Sequence, residues 1–352
     1  MSAPTLAAQR AADAATVRAA RRRRTVRAGR VTGVLLVLVA AAFVVRVTLG
    51  DYTVTIPDTL RIIRGESIPG ASFIVLESKL PRAVLAVLAG SALGVAGAVM
   101  QDLVRNPLGS PDILGLTGGA SAAALFSMVV LGASGASVTG FAFVGAVVVA
   151  AVLVLLSQGA KGGEQALIVV GVGCAAMLVA VIHWVLLRAD VYRLSEAMAW
   201  LSGSVARASW GEIARLAVLV PIVLVLTLVL HRELRLILLG DDLAAGLGVP
   251  VRRTRALGML AVVVLVAAVC AVCGPIAFVA LLAGPIGRRL HAGRTRLVDI
   301  GLVGALMVLA ADYIAAYLMP GGANLPVGVV TGLAGAPFLL WLIATRSRVE
   351  VR

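Results

Sequence analysis

Side chains able to carry out catalysis or bind metals are few and scattered in this 352-residue sequence. Cys270 and Cys273 form a C-x-x-C pair inside an apolar run, with no histidine or second cysteine pair at zinc-ligand spacing. The histidines stand at positions 183, 231 and 291 and form no Ser-His-Asp or H-E-x-x-H arrangement. We therefore expect the cysteines to pack as small residues, and we predict no catalytic residue, no metal site and no cofactor.

Phosphate-binding motifs are also missing. The sequence lacks G-x-x-x-x-G-K-S/T, whose glycines and lysine hold nucleotide phosphates, so any ATP that drives this protein must bind to another chain. The consecutive arginines of residues 21–24 favour a topology anchor beside anionic lipids over contact with nucleic acid. We expect membrane lipids, and no nucleic acid, as partners of this basic region.

The segment RNPLGSPDILGLTGGASAAAL, residues 105–125, is a turn-forming stretch between two apolar runs. Pro107 and Pro111 end helices, whereas Gly118 and Gly119 allow two helices to approach closely. A plain turn between membrane spans accounts for this composition but not for the order of the residues.

Composition indicates which elements must position these residues. Hydrophobic residues make up 61% of the chain and charged residues 14%, and the mean hydropathy of +1.04 is far above that of soluble domains. Apolar runs of about 18 or more residues can cross roughly 30 Å of hydrocarbon as helices. The sequence predicts an all-α, polytopic membrane protein with about ten transmembrane helices. The predicted spans are residues 31–49, 83–101, 113–131, 137–157, 165–187, 211–230, 257–273, 275–290, 299–318 and 326–344.

The seventh and eighth spans are separated by an argument from length. Residues 257–287 are nearly all apolar and would form one helix of about 46 Å, too long for a single crossing. Gly274 loosens the backbone and Pro275 cannot donate a helical hydrogen bond, so we place the break there and expect one of the two helices to be short. Interrupted helices occur at membrane depth where protein or water surrounds them, which makes this break a candidate pathway region.

The distribution of charge predicts the orientation. With an even number of spans, most Lys and Arg residues fall on the side of both termini, so we predict that both termini are cytoplasmic. Residues 1–30 are predicted to form a disordered basic tail and residues 346–352 a short cytoplasmic tail. Arg46 and Arg215 lie near outer helix ends and are expected to snorkel to the interface, and Asp312 is the only acidic residue placed well inside a span.

A longer segment, LPRAVLAVLAGSALGVAGAVMQDLVRNPLGSPDILGLTGGASAAAL, carries a fixed order of turn and small residues. Its pattern of L-P-R, G-x-x-L-x-x-x-G, Q-x-x-x-R-N-P-L-x-x-P-x-x-L-G and G-A closely resembles the signature of the FecCD-type family of iron-siderophore and cobalamin ABC permeases. The resemblance implies a cobalamin-permease-like bundle in which the R-N-P-L portion turns sharply on the cytoplasmic side. The matching residues are Leu80, Pro81, Arg82, Gly90, Leu93, Gly97, Gln101, Arg105, Asn106, Pro107, Leu108, Pro111, Leu114, Gly115, Gly119 and Ala120.

A second segment, LLGDDLAAGLGVPVRRTR at residues 238–255, predicts a short helix. Asp241 is suited to cap it, Asp242 favours its positive end, and Gly248 suits a left-handed stop. It resembles the cytoplasmic coupling segment of the same family, L-G-x-x-x-A-x-x-L-G-V, although a purely structural surface helix is an alternative. The resemblance implies contact with an ATPase subunit through Gly240, Asp241, Asp242, Ala245, Leu247 and Gly248.

Two C-terminal segments, GPIAFVALLAGPIGRRL and LPVGVVTGLAGAPFLLWLI, resemble further family motifs but depart from them. Ala280 replaces a glycine, Ile286 a histidine and Asn324 a glutamate, and the arginine usually found shortly after Asp312 is absent. The resemblance covers residues 31–345, and its departures concern the outer docking surface and the substrate path of the C-terminal half.

The resemblance implies a non-enzymatic permease subunit of an ABC importer for a ferric siderophore or related iron chelate in the cytoplasmic membrane, with cobalamin or haem as alternative substrates. It implies as partners an ATPase subunit, a periplasmic or lipid-anchored binding protein, and a second permease subunit, either a copy or a paralogue. An ion-coupled secondary transporter is an alternative of another class, but it would need more intramembrane acidic groups than this chain offers. A structural membrane scaffold would not need the coupling helix.

The resemblance also places the loop SQGAKGG at the cytoplasmic mouth of the path, with Ser157, Gly159 and Ala160 as candidate gate residues. A plain flexible loop is the alternative. Arg61 and Arg64 are candidates for docking acidic residues of the binding protein, or else ordinary interface arginines. Because the usual arginine of span nine is missing, we expect a lopsided docking face and a paralogous partner that supplies the charge.

Overall fold

The computed structural model describes residues 6–158, 163–319 and 324–347, which form helices joined by short connections and contain no strand. The helices are α1 (Leu6–Thr48), α2 (Ile56–Ile63), α3 (Ala71–Phe73), α4 (Leu80–Leu103), α5 (Leu116–Val129), α6 (Ala136–Gln158), α7 (Gly163–Leu186), α8 (Val191–Leu201), α9 (Trp210–Ile237), α10 (Asp241–Gly246), α11 (Val251–Cys273), α12 (Val279–Leu290), α13 (Leu297–Tyr317) and α14 (Val327–Ser347). A π-helical stretch, Ile74–Lys79, joins α3 to α4 without a break.

The apolar helices of the described residues correspond to the spans that the sequence predicts. In the described part of the chain, seven helices are long and apolar enough to cross a membrane, and α5 and α14 contain shorter apolar helices. With the short α12, these helices match the ten predicted spans one for one. The prediction of an all-α, multi-pass membrane protein is confirmed.

The first helix is longer than we expected. We predicted a disordered tail over residues 1–30, whereas α1 begins at Leu6 and continues to Thr48. The tail is rich in alanine and arginine, which are among the best helix formers, so the helix of the first span extends backward through it.

The helix α4 lies at the centre of the bundle and packs against α9, α11, α12 and α13. A Cβ atom on Gly90 would lie 2.4 Å from the carbonyl oxygen of Gly304 in α13, and one on Gly97 would lie 1.7 Å from that of Ala280 in α12. In lipid, helices associate largely through such close van der Waals contact. The glycines of the first motif are therefore required by helix packing.

The predicted break between the seventh and eighth spans is present. The helix α11 ends at Cys273, Gly274 has a φ of +69°, and α12 begins only at Val279. A Cβ atom on Gly274 would lie 2.3 Å from the carbonyl oxygen of Trp200, so backbone conformation and space both require glycine. With 12 residues, α12 is about 18 Å long, which confirms that one of the two helices is short.

A buried ionic cluster joins α1, α4 and α13 at the end of the bundle that holds α2. Asp312 accepts hydrogen bonds from Arg46 at 2.6 Å and from Arg82 at 2.7 Å, and Asp312 and Arg46 are 0% and 1% exposed. We call these three residues the Asp312 cluster. The prediction that Arg46 snorkels is wrong, because a carboxylate within the protein compensates its charge.

Candidate functional site

The helix α4 ends in a tight turn made by the first part of the R-N-P-L motif. Arg105 has a φ of +46°, and the N–H of Asn106 donates to the carbonyl of Gln101 at 3.1 Å. The side-chain oxygen of Asn106 accepts a hydrogen bond from the N–H of Leu108 at 2.9 Å. Pro107 stands between them and cannot continue the helix because it has no N–H. The Arg-Asn-Pro order thus reverses the chain, as the sequence predicts.

The second part of the motif is non-helical and packs alongside α7 before α5 begins. Residues 111–115 form turns, and Gly115 has a φ of +80° just before α5. A Cβ atom on Gly115 would lie 3.2 Å from the backbone nitrogen of Ala175, and one on Gly171 would lie 3.1 Å from the Cα of Leu114. Gly171 lies about 12 Å and Ala175 about 18 Å from the start of α7, which is about 36 Å long. The turn therefore ends near the middle of α7, deeper than the expected turn at the membrane surface.

This non-helical segment carries a carboxylate, Asp112, that sequence reasoning missed. Asp112 is partly exposed, and its side chain accepts a hydrogen bond from the hydroxyl of Ser110 at 3.3 Å, with no ion pair to it found in the described residues. A carboxyl group at this depth faces protein or a water-filled cavity rather than lipid. We had named Asp312 as the only acidic residue well inside a span. The Ser-Pro-Asp step was the available signal, because a proline there delays the start of α5.

The predicted short helix is present as α10, although its cap differs from our prediction and its coupling role stays a prediction. Gly240, with a φ of +112°, occupies the N-terminal cap position without a side-chain hydrogen bond. The prediction that Asp241 caps the helix is wrong, because its carboxylate instead accepts hydrogen bonds from Arg105 and, at 2.9 Å, from Arg255. Gly248 has a φ of +82° and provides the predicted left-handed stop.

The outward face of α10 is apolar. Leu243 and Leu247 are 63% and 62% exposed, whereas Ala244 is fully buried and anchors the helix against the end of α9. Asp242 and Ala245 are exposed beside the two leucines. A helix held by one small residue and presenting two leucines has the shape of a contact surface for another protein.

One arginine connects the turn to α10. Besides Asp241, Arg105 contacts the carbonyl oxygen of Ile237, the last residue of α9, at 2.9 Å. The guanidinium group therefore joins the end of α4, the end of α9 and the start of α10. The structure thus brings together two motifs that lie far apart in the sequence.

Next to this connection, a polar network joins α4 to α12. The side-chain amide of Gln101 donates to the carbonyl of Leu281 at 2.9 Å, and Arg288 donates to the side-chain oxygen of Gln101. Arg288 also lies 3.7 Å from Asp102. The motif glutamine therefore fixes the short helix α12 to the central helix.

The candidate docking arginines lie at the other end of the bundle, in and just after α2. Arg61 is exposed and pairs with Asp58 at 3.8 Å and Glu66 at 3.4 Å. Arg64 is exposed and ends α2. Both side chains are accessible, but Arg61 already has acidic neighbours.

Less of the candidate gate is described. The backbone of Ser157 belongs to the last turn of α6, whereas Gly159 and Ala160 lie outside the described residues. The gate assignment therefore stays a prediction.

Comparison with known proteins decides the family. The model of the FecCD transport family matches residues 36–345, which is nearly the whole chain. The chain belongs to the FecCD transport family. It is 39% identical to the Escherichia coli ferric enterobactin transport system permease protein FepG, over 85% of this chain and 91% of that protein. It is 37% identical to the Dickeya dadantii achromobactin transport system permease protein CbrC, over 90% and 91% of the two chains.

A solved structure agrees with this FecCD fold. An inward-facing metal-chelate type ABC transporter matches with a TM-score of 0.78 and 25% identity, over 90% of this chain and 99% of that chain. Within the described residues of this FecCD chain, no group of three or more His, Cys, Asp or Glu residues is arranged to hold a metal ion. Cys270 and Cys273 are buried and free, in agreement with a packing role.

Proposed function

We propose that this chain is the membrane-spanning permease subunit of an ABC importer that carries a ferric siderophore or a related iron chelate. The observation that carries the proposal is the match of residues 36–345 to the FecCD family, together with relatives named for enterobactin and achromobactin transport. The iron chelate is cargo, so the permease needs no metal ligands of its own. Cobalamin or haem remains the alternative cargo within the same class.

The substrate path, in this proposal, runs beside the two interrupted helices. The first interruption, residues 104–115, precedes α5, and the second, residues 274–278, precedes α12. Interrupted helices at membrane depth occur where they line a cavity, because their free backbone groups need polar partners. Asp112 belongs to the first interruption, and we propose that it faces the path formed with a second permease subunit.

ATP hydrolysis is assigned to a separate ATPase subunit that binds α10. The exposed Leu243 and Leu247 support this assignment, since they form an apolar contact face at the end of the bundle. The end that carries α10 is then cytoplasmic, as are both termini, and the opposite end receives a binding protein near Arg61 and Arg64. In this scheme the chain itself catalyses no reaction, and its domains are a basic N-terminal extension, the membrane domain of residues 31–345 and a short C-terminal tail.

An ion-coupled secondary transporter is less well supported. Such a carrier needs an intramembrane acidic group that can change its protonation. Asp312 is held by two arginines and is fully buried, so it is not available for that purpose. Asp112 is not held in an ion pair within the described residues, but the match of residues 36–345 to the FecCD family favours a permease that works with an ATPase. The exposed apolar face of α10 also has no function in a carrier that works alone.

Uptake in reconstituted vesicles tests the proposal. The chain should be produced with the ATPase, the binding protein and any paralogous permease encoded beside its gene, and reconstituted into vesicles. A radiolabelled ferric siderophore is then supplied on the outside. We expect uptake that needs ATP inside and binding protein outside, and that is lost when the ATPase carries a substituted nucleotide-binding lysine. Uptake driven by a proton gradient without ATP would contradict the proposal, and transport of cobalamin or haem in place of the siderophore would change the cargo.

A further inference from the structure

A basic cleft lies between the N-terminal part of α1 and the loop that joins α12 to α13. It encloses about 690 Å³, and its lining includes Arg24, Arg27, His291, Arg294 and Arg296 but no acidic residue. Several positive charges placed together repel one another unless an anion lies between them. The cleft therefore favours an anionic occupant.

A buried carboxylate behind the cleft holds its two walls together. Asp299 is fully buried and accepts a hydrogen bond from the hydroxyl of Thr32 in α1 at 2.7 Å. Its other oxygen lies 2.6 Å from Nε2 of His291 and 3.2 Å from Nε of Arg296, both on the loop wall. The two walls are thus fixed to one another, and the cleft is a formed site rather than a gap between loose side chains.

Three arginines of the cleft remain available for a ligand. Asp299 pairs with Arg296, whereas Arg24, Arg27 and Arg294 have no carboxylate partner within the described residues. Arginine guanidinium groups bind the oxygens of oxyanions through pairs of parallel hydrogen bonds, a geometry that suits a phosphate group better than a halide.

The position of the cleft indicates which phosphate it meets. Arg24 and Arg27 precede Val31, where the first predicted apolar span begins, by about 10 and 6 Å along the helix axis. On the other wall, Arg294 lies just before Leu297, the first residue of α13. Both walls therefore lie within one headgroup layer of the hydrocarbon, where a lipid phosphate is held at high local concentration.

We propose that this cleft binds the phosphate group of an anionic phospholipid from the adjoining leaflet. The lipid would bridge α1 and the α12–α13 loop, and so attach the N-terminal helix to the part of the bundle that carries the second interrupted helix. This goes beyond a general attraction of a basic tail to the membrane, because it requires particular arginines on two separate elements. It is independent of the transported substrate.

The test compares two double variants that remove equal charge. Arg24→Gln/Arg294→Gln removes one arginine from each wall. Arg22→Gln/Arg23→Gln is the matched control, since those two residues belong to the same stretch of α1 but line a neighbouring groove that shares only Arg27 with the cleft. Full-length permease and both variants are purified from the same membranes, and native mass spectrometry measures the phosphatidylglycerol that survives stepwise delipidation.

We expect wild type and the control to retain a bound phosphatidylglycerol, and retention by the cleft variant to fall at least about tenfold, because one cationic group is lost from each wall. Equal loss in both variants would overturn the proposal, because binding would then follow total charge. Undiminished retention in the cleft variant would also overturn it. In a second arm, inorganic phosphate or phosphatidylglycerol is added to delipidated protein, and thermal stability is measured. If phosphate stabilises wild type but not the cleft variant, and phosphatidylglycerol stabilises neither protein, the occupant is a soluble anion and the lipid assignment is wrong.

Discussion

Replacement of Gly248 by valine tests the coupling assignment through backbone conformation alone. Gly248 has a φ of +82°, and a Cβ atom built on it would meet nothing within 4 Å. The added Cβ atom therefore meets no neighbouring residue. The cost of the substitution is that valine, being β-branched, must either adopt a left-handed conformation or change the path of the chain after α10.

The size of this effect follows from known conformational energies. An L-residue other than glycine pays roughly 1–2 kcal/mol in the left-handed region. At 1.4 kcal/mol for each factor of ten, the equilibrium constant between a correctly ended α10 and an alternative ending shifts by about 5- to 30-fold. The apparent dissociation constant for the ATPase subunit should rise by up to the same factor, because only the correctly ended helix presents Leu243 and Leu247 together.

The control variant is Gly246→Val, two residues earlier. Gly246 also has open space around its Cβ position, but it is the last residue of α10 and its φ is not positive. ATPase binding and substrate-stimulated ATP hydrolysis are measured for both variants in lipid nanodiscs, at ATPase concentrations below saturation. We expect weakened binding for Gly248→Val and near-normal binding for Gly246→Val. Equal behaviour of the two variants would refute the reasoning, because the left-handed conformation would then have no part in coupling.

Three further predictions concern the rest of the bundle. Asp312→Asn leaves two buried arginines without a counter-charge and should destabilise the protein by about 3–5 kcal/mol in thermal unfolding, whereas Tyr317→Phe, which removes only a 3.3 Å contact to one of them, should cost less than about 1 kcal/mol. Asp112→Asn should reduce siderophore uptake by roughly tenfold or more, which is the effect of losing one charge-assisted hydrogen bond. Asp112→Glu should retain uptake, and basal ATP hydrolysis should stay normal in both variants. Unchanged uptake by Asp112→Asn would show that Asp112 does not face the path. Charge reversal of Arg61 and Arg64 should slow association of the binding protein and flatten its salt dependence, so an unchanged association rate at low salt would exclude the docking role.

The sequence was most informative where one short-range rule determines structure. Length and hydropathy predicted each membrane span, and the Gly-Pro pair at Gly274 and Pro275 correctly placed the break that makes α12 short. The left-handed stop at Gly248 was likewise predictable, because few residues other than glycine adopt a positive φ. These features depend on neighbouring residues alone.

Features that depend on distant residues were missed. Arg46 is buried because Asp312 lies beside it, although 266 positions separate them, and no local pattern indicates that partner. Asp241 fails to cap α10 because Arg105 and Arg255 compete for its carboxylate. The depth of Asp112 depends on how the turn packs against α7, which the spacing of prolines does not specify. In each case, a tertiary contact overrides a sound local preference.

In the proposed importer, Arg105 offers a route by which movement of α10 would reach the substrate path. Its side chain contacts Asp241 at the start of α10, while its backbone belongs to the turn between α4 and the segment that leads to Asp112. The central helix α4 is packed too closely against its neighbours at Gly90 and Gly97 to absorb a displacement. A shift of α10 must therefore be taken up by the turn residues that follow Arg105, which are non-helical as far as Gly115. Coupling in this permease is thus expected to act first on the interrupted helix that carries Asp112, and only secondarily on the rest of the bundle.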